Sequence, residues 1–492
     1  MPSASTDDTT TTLPDGLIAI VKRDCPTCVL VAPVLAELSA RNHEPLTVIS
    51  QDDPTFPEGL AAIDDTSLDI SLELELDTVP TLLRRASGHE VDRIVGWDRT
   101  KWETFTGETD LGLGLPPHRP GCGSRTHDPD FINARNDLAG AAQLKSRRIE
   151  LGAYEDVAEA AYARGWTDGL PVVAPTPQRV ARMLTGTNRD ASEVVAIMPP
   201  DLVECTVEKV AINAVLAGCK PEYLPVVLAA VEAACTDTFN IHGVLATTMP
   251  VSPVIVVNGP LAIAIGMNSG GNALGQGNRA NATIGRALQL IIRNVGGGRP
   301  GGVDRATQGQ PGKYTFCFAE NEADSPWEPL HVARGFAAEQ STVTLFTGEG
   351  ARVILDQLSR TPESLTRSFA ACLRTVAHPK LVIGIDAMLV VSPEHARVFS
   401  EAKWDRARLI SELSAALLIS SDEILRGVGG IAEGMPEAFA GMDLPKFRDG
   451  GLLVVHAGGH AGLFSTIIGG WLGGAAGSEP ITVAIDENGG YS

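Results

Sequence analysis

Hydrophobic positions along this chain come in two kinds: short unbroken runs rich in valine and isoleucine, and longer stretches with a helical period. Residues 16–22 (GLIAIVK) are of the first kind and predict a buried strand, whereas residues 29–41 predict a helix. Further strands are expected at 46–50 and 78–83, the second interrupted by Pro80. A helical pattern spans 131–163. Beyond it, helices are expected at 177–184, 206–216, 223–235, 281–294, 362–377, 395–402, 406–419 and in the apolar stretch after Ala461. Strand-like runs fall between them at 253–258, 314–319, 342–346, 380–391 and 451–456. Such alternation predicts an α/β body whose sheet is mixed or mostly parallel and covered on both faces.

Length and charge narrow this picture. A chain of 492 residues has room for about three domains. With 44% hydrophobic residues it has ample material for folded cores. Its net charge of −21 repels phosphate backbones, which argues against nucleic acid as a partner. Residues 1–14 lack the basic and apolar regions of a secretory signal and are expected to be a disordered polar leader. The apolar run 461–477 is short for a membrane span and rich in glycine, so a buried helix followed by a loop is expected. Eight cysteines are too few for a disulfide scaffold of this size, and the expected compartment is the cytoplasm, with no membrane partner. The expected organisation is a first domain at 15–107, a linker and helix at 108–150, a large domain at 151–485 and a tail at 486–492.

The sharpest chemical signal lies in the first domain. Cys25-Pro26-Thr27-Cys28 sits where a strand hands over to a helix, so free N–H groups and the helix dipole favour a thiolate at Cys25. Lys22 and Arg23 add positive charge and Asp24 opposes it. A zinc site is the competing reading, but a lone CxxC lacks the second ligand pair. With Cys25 and Cys28 in that context, Val79-Pro80 downstream and Gly96-Trp97 before a last helix, residues 15–107 resemble a thioredoxin-fold domain. The resemblance implies that Cys25 attacks, Cys28 resolves and Pro80 packs beside them in its cis form. Pro-Thr between the cysteines and Lys22-Arg23-Asp24 before them depart from the usual family pattern, which leaves reduction potential and partner open.

Cys122 lies in a stretch broken by prolines and glycines, where it reads either as a relay thiol on a flexible arm or as a stray surface cysteine. In the large domain, Cys205 before a helix and Cys219 beyond it are candidate reactive thiols. Cys235, Cys317 and Cys372 lie in apolar runs and are expected in the core. The rule that sites lie beyond strand carboxyl ends selects residues 258–260, 392–395 and 456–460. His242 and His456 are candidate acid–base groups, and with His460 they form a candidate metal set, although Ala-Gly-Gly between the last two argues against a helical ligand pair. A glycine- and amide-rich loop places Asn268, Asn278, Arg279 and Asn281 before a helix, where they could cradle a small polar substrate, and Asp168 sits in a turn as a binding or bracing residue.

Four segments, Trp166-Thr167-Asp168-Gly169-Leu170-Pro171, Cys205-Thr206-Val207-Glu208-Lys209, residues 277–283 (GNRANAT) and Trp327-Glu328-Pro329, resemble a bacterial domain associated with small selenoproteins of the UGSC type. That resemblance spans most of 150–480 and implies a redox setting without naming a reaction. Cys122-Gly123-Ser124-Arg125 is similar to the UGSC motif itself, with cysteine for selenocysteine and arginine for the last cysteine.

Together these features predict a thiol-dependent oxidoreductase in which the CxxC module passes electrons to a cysteine of the large domain acting on a small polar molecule. A thiol reductant or small redox protein is the expected partner, and a homo-oligomer is compatible with the reading. One alternative is a histidine-based hydrolase or lyase, with or without a metal, that the dithiol keeps reduced. Another is a non-catalytic docking module on a binding protein.

Overall fold

A computed structural model describes residues 13–152, 155–425, 434–474 and 477–486; most of the expected leader and nearly all of the tail lie outside them. The chain divides into two compact units, residues 1–137 and 138–492.

The first unit opens with β1 (Gly16–Val21), α1 (Pro26–Arg41), β2 (Leu46–Ser50), β3 (Ala62–Asp64) and α2 (Asp69–Glu73). It continues through β4 (Thr78–Val79), β5 (Thr81–Ala86), β6 (His89–Val95), β7 (Trp97–Asp98) and α3 (Arg99–Thr106). Two short strands follow, β8 (His118–Arg119) and β9 (Cys122–Gly123), and then α4 (Pro129–Gln143). Five strands form one sheet in the order β3-β2-β1-β5-β6, parallel from β3 to β1 and antiparallel from β1 to β6. Every residue of β1 is buried, as its unbroken apolar run requires for a central strand.

Residues 108–137 are not a linker. Between α3 and β8 prolines and glycines deny the chain regular structure, but side chains of the first unit donate to its carbonyls. Trp97 donates to Pro116 O at 2.6 Å, and Arg99 donates to Gly112 O and Leu115 O. Leu111 is fully buried.

The second unit begins with α5 (Val157–Ala163), α6 (Pro177–Leu184), β10 (Val194–Met198), β11 (Val203–Thr206), α7 (Val207–Ala217), α8 (Leu224–Ala234) and α9 (Ile241–Ala246). Its centre comprises β12 (Ser252–Asn258), α10 (Pro260–Ala264), α11 (Arg279–Asn294), β13 (Cys317–Ala319), α12 (Leu330–Ala333) and β14 (Thr342–Leu355). The chain closes with α13 (Pro362–Leu373), β15 (Ile385–Val391), α14 (Pro393–Glu401), α15 (Arg406–Ala416), β16 (Leu418–Ser420), β17 (Asp443–Pro445), β18 (Phe447–His456), β19 (Phe464–Leu472) and β20 (Ile481–Ala484).

Seven of these strands form a mixed sheet, β13-β12-β14-β19-β15-β18, with β20 beside β14. Parallel pairing is confined to β12–β13 and β15–β18, so the sheet is not mostly parallel. One connection pattern occurs twice: β12 pairs parallel with β13 and antiparallel with β14, and β15 pairs parallel with β18 and antiparallel with β19. The two halves join through β14 and β19.

Alternate residues of each strand enter different cores. Ile255 and Val257 pack with α7, α8 and α11, while Leu389 and Val454 pack with α13, α14 and α15. Val254 and Val256 meet Met388, Val390, Val455 and Ile468 in a third core that lies between the halves. At Gly348 the backbone is approached from both sides: a Cβ would stand 2.6 Å from Ile468 and 2.7 Å from Val254. Glycine is what lets the Val254 and Ile468 side chains pack against the β14 backbone there.

Two expectations change. The run after Ala461 forms the central strand β19, because a segment buried on both faces loses the alternation that separates strand from helix. The helical pattern over 131–163 breaks into α4 and α5.

Candidate active site

Cys25 is the N-cap of α1, in extended conformation, and its sulfur accepts a hydrogen bond from Cys28 N at 3.2 Å. Its thiol can donate to Val79 O, 3.6 Å away, and the Val79–Pro80 peptide is cis. The preceding turn is tied by the Asp52 carboxylate, which accepts from Arg23 N and Asp24 N. The Arg23 guanidinium is spent on Asp53 and Glu58 and stacks over Phe56, so it does not supply the charge expected at the thiol.

The Cys25 thiol is nonetheless pulled down to about 5. The Cys28 side chain contributes most, against burial, and Cys122 and the N–H groups of Cys28 and Thr27 add to it. Cys28 moves the opposite way, raised by burial and by its hydrogen bond to Cys25. One thiol is thus ionised at neutral pH and its neighbour holds a proton.

Cys122 belongs to this site and not to a flexible arm. β9 pairs antiparallel with β4, setting Cys122 opposite Val79, and β8 pairs with β7. Thr27 Oγ1 donates to Pro120 O at 2.7 Å, Ser124 N to Asp77 O at 2.9 Å, and Gln51 Nε2 to Ser124 Oγ at 2.8 Å. The close approach depends on Gly121, whose Cβ would lie 2.9 Å from Val79 O and closer still to the Thr78 methyl. Cys122 is half-buried, and burial together with the neighbouring Cys25 raises its own thiol.

The large-unit thiols have the opposite environment. Cys205 lies on β11, fully buried; Thr206, not Cys205, caps α7. Burial pushes Cys205 up to about 11 and Cys219 up to about 12, and raises Cys235 and Cys317 as well. Neither Cys205 nor Cys219 is placed to act as a nucleophile.

The glycine-rich loop is similarly self-contained. Asn278 caps α11 and donates to Gly266 O, Asn281 donates to Asn268 O and Ala273 O, and Arg279 donates to Gly218 O. Asn268 accepts from Gly270 N and donates to Gly271 O. These amides brace their own loop and do not present a cradle. Asp168 accepts from Arg286 Nε and Nη2, each at 2.8 Å, and that pairing outweighs burial to hold its carboxyl low.

Among the candidate histidines, His242 is exposed on α9, and His460 is exposed and paired with Asp324. His456 is fully buried, with Nδ1 on Asn321 O. Among the described residues no three His, Cys, Asp or Glu side chains are grouped to hold a metal, so these histidines are not a ligand set.

The strand-end rule does locate a buried polar cluster. Glu320 accepts from Asn258 and Arg406 and from Leu330 N, beside His456. His456 Nε2, both His331 nitrogens and Arg406 Nη1 have no hydrogen-bond partner among the described residues. Glu320, His331 and Arg406 come from separate segments with no shared motif, so sequence reasoning missed them.

No family model, curated protein or solved structure matches this chain. Among the described residues, no helix is long and apolar enough to cross a membrane.

Proposed function

We infer that the first unit is a thioredoxin-like thiol–disulfide oxidoreductase in which Cys25 exchanges disulfides and Cys28 resolves them. The observation that carries this reading is Cys25 at the N-cap of α1, its sulfur accepting from Cys28 N beside the cis Val79–Pro80 peptide, with the buried Cys28 thiol three residues on. The cis Val79–Pro80 peptide, whose Val79 carbonyl lies 3.6 Å from the Cys25 sulfur, is a feature the resemblance implies. Stabilising the Cys25 thiolate favours the reduced dithiol, so its disulfide is the oxidant of the couple. The midpoint potential is expected between about −270 and −120 mV, the range between weakly and strongly thiolate-stabilised dithiols. Redox titration against glutathione, read by alkylation and mass, measures it. A Cys25→Ser variant that still oxidises small thiols at the wild-type rate sinks the reading.

A second reading, acid–base chemistry in the large unit, is favoured by the unpartnered Nε2 of His456 beside Glu320 and Arg406. Burial lowers His456, which keeps it neutral and able to accept a proton at pH 7. His456→Gln tests it once a substrate is in hand.

A further inference from the structure

The dithiol has an access problem. Cys25 is only 1% exposed and Cys28 is 0% exposed, whereas Cys122 is half-buried. Residues 118–123 pack along the strand ends beside Cys25, held by β7–β8, β4–β9 and the Thr27–Pro120 hydrogen bond. An outside thiol reaching Cys25 directly would need this anchored segment to move. One reaching Cys122 would not.

We propose that Cys122 is the substrate-facing thiol of a three-cysteine relay, passing disulfides between a small outside thiol and the Cys25–Cys28 pair. This rests on the oxidoreductase reading above and adds the order of the sulfurs. Starting from the Cys25–Cys28 disulfide, the Cys122 thiolate attacks the Cys25 sulfur. The Cys25–Cys28 bond breaks, a Cys25–Cys122 bond forms, and Cys28 leaves and takes the proton that Cys122 gave up. An outside thiolate then attacks the Cys122 sulfur, and Cys25 departs as a thiolate. A second outside thiolate attacks the first at its bond to Cys122, releasing an outside disulfide and free Cys122. Two outside thiols lose two electrons and the dithiol gains them.

The experiment uses the full chain. Wild type is oxidised with diamide, and disulfides are mapped by non-reducing peptide mass spectrometry. A wild-type protein with no Cys25–Cys28 bond overturns the oxidoreductase reading itself. In Cys28→Ser, and in Cys28→Ala should the first misfold, a Cys25–Cys122 bond is expected after oxidation in the presence of glutathione. Cys25 capped by glutathione with Cys122 free overturns the relay alone. In Cys122→Ser and Cys122→Ala, the Cys25–Cys28 disulfide should form but be reduced by glutathione at least tenfold more slowly than in wild type. Reduction at the wild-type rate overturns the relay.

Discussion

The two units use cysteine in opposite ways. In the first, three thiols from the first turn of a helix and a two-residue strand converge; hydrogen bonding draws one low, while burial and the same contact hold another high. In the second, Cys205, Cys219 and Cys317 sit among apolar side chains, where burial outweighs the pull of Lys209 on Cys205 and of Arg279 on Cys219. Burial is common to both. What differs is whether donors have been arranged around the sulfur before it is buried.

The largest break in this contrast would come from native labelling. At pH 7 Cys25 is mostly thiolate while Cys205 stays protonated. Maleimide should therefore modify Cys25 or Cys122 and leave Cys205, Cys219 and Cys317 untouched until denaturant is added; peptide mapping reads the result. Early labelling of Cys205 would end the comparison.

Next comes Lys446, which shows what the large unit does with a buried polar group. It is fully buried and donates to Val376 O, His378 O and Leu381 O. Lys446→Ala should cost about 3 kcal/mol by leaving those carbonyls unpaired, seen as an earlier thermal transition of the large unit. Burial lowers Lys446 to about 8. Between pH 8 and about 10.5 the unfolded chain therefore holds more protons than the folded one. This group's contribution makes stability rise with pH across that window, by roughly 3 kcal/mol in all, and Lys446→Met should remove that component.

A smaller effect sharpens the first unit. Thiolate absorbance at 240 nm should give a Cys25 midpoint near 5, rising in Cys28→Ala and rising less in Cys122→Ala, because Cys28 is the stronger stabiliser. If Cys122→Ala moves it more, the sulfurs are ranked wrongly. Smallest in stability but specific in chemistry is Gly121→Val, expected to weaken the β4–β9 contact and suppress the Cys25–Cys122 bond in Cys28→Ser.

What the sequence disclosed was local. Cys25, Cys28 and Pro80 were legible because a strand, a turn and a helix follow one another within a few residues. Cys122 was legible as a thiol but not as a neighbour of Cys25, since a two-residue strand leaves no periodic trace. Cys205 failed by one position: the cap of α7 falls on Thr206. The amides at Asn268, Asn278 and Asn281 failed because composition does not distinguish a loop that binds itself from one that binds a guest. Asn258 and His456 were reached by a rule about strand ends, whereas Glu320 and Arg406 required the fold to bring them together.

The strand β14 has a final consequence. Its first half pairs with β12 and β20 and its second half with β19, so a single fourteen-residue segment is a wall of both halves of the large unit. The two halves repeat one plan yet have no separate existence. A proteolytic cut or insertion near Gly348 should melt them in one cooperative step, and the protein's built-in doubling offers no spare part.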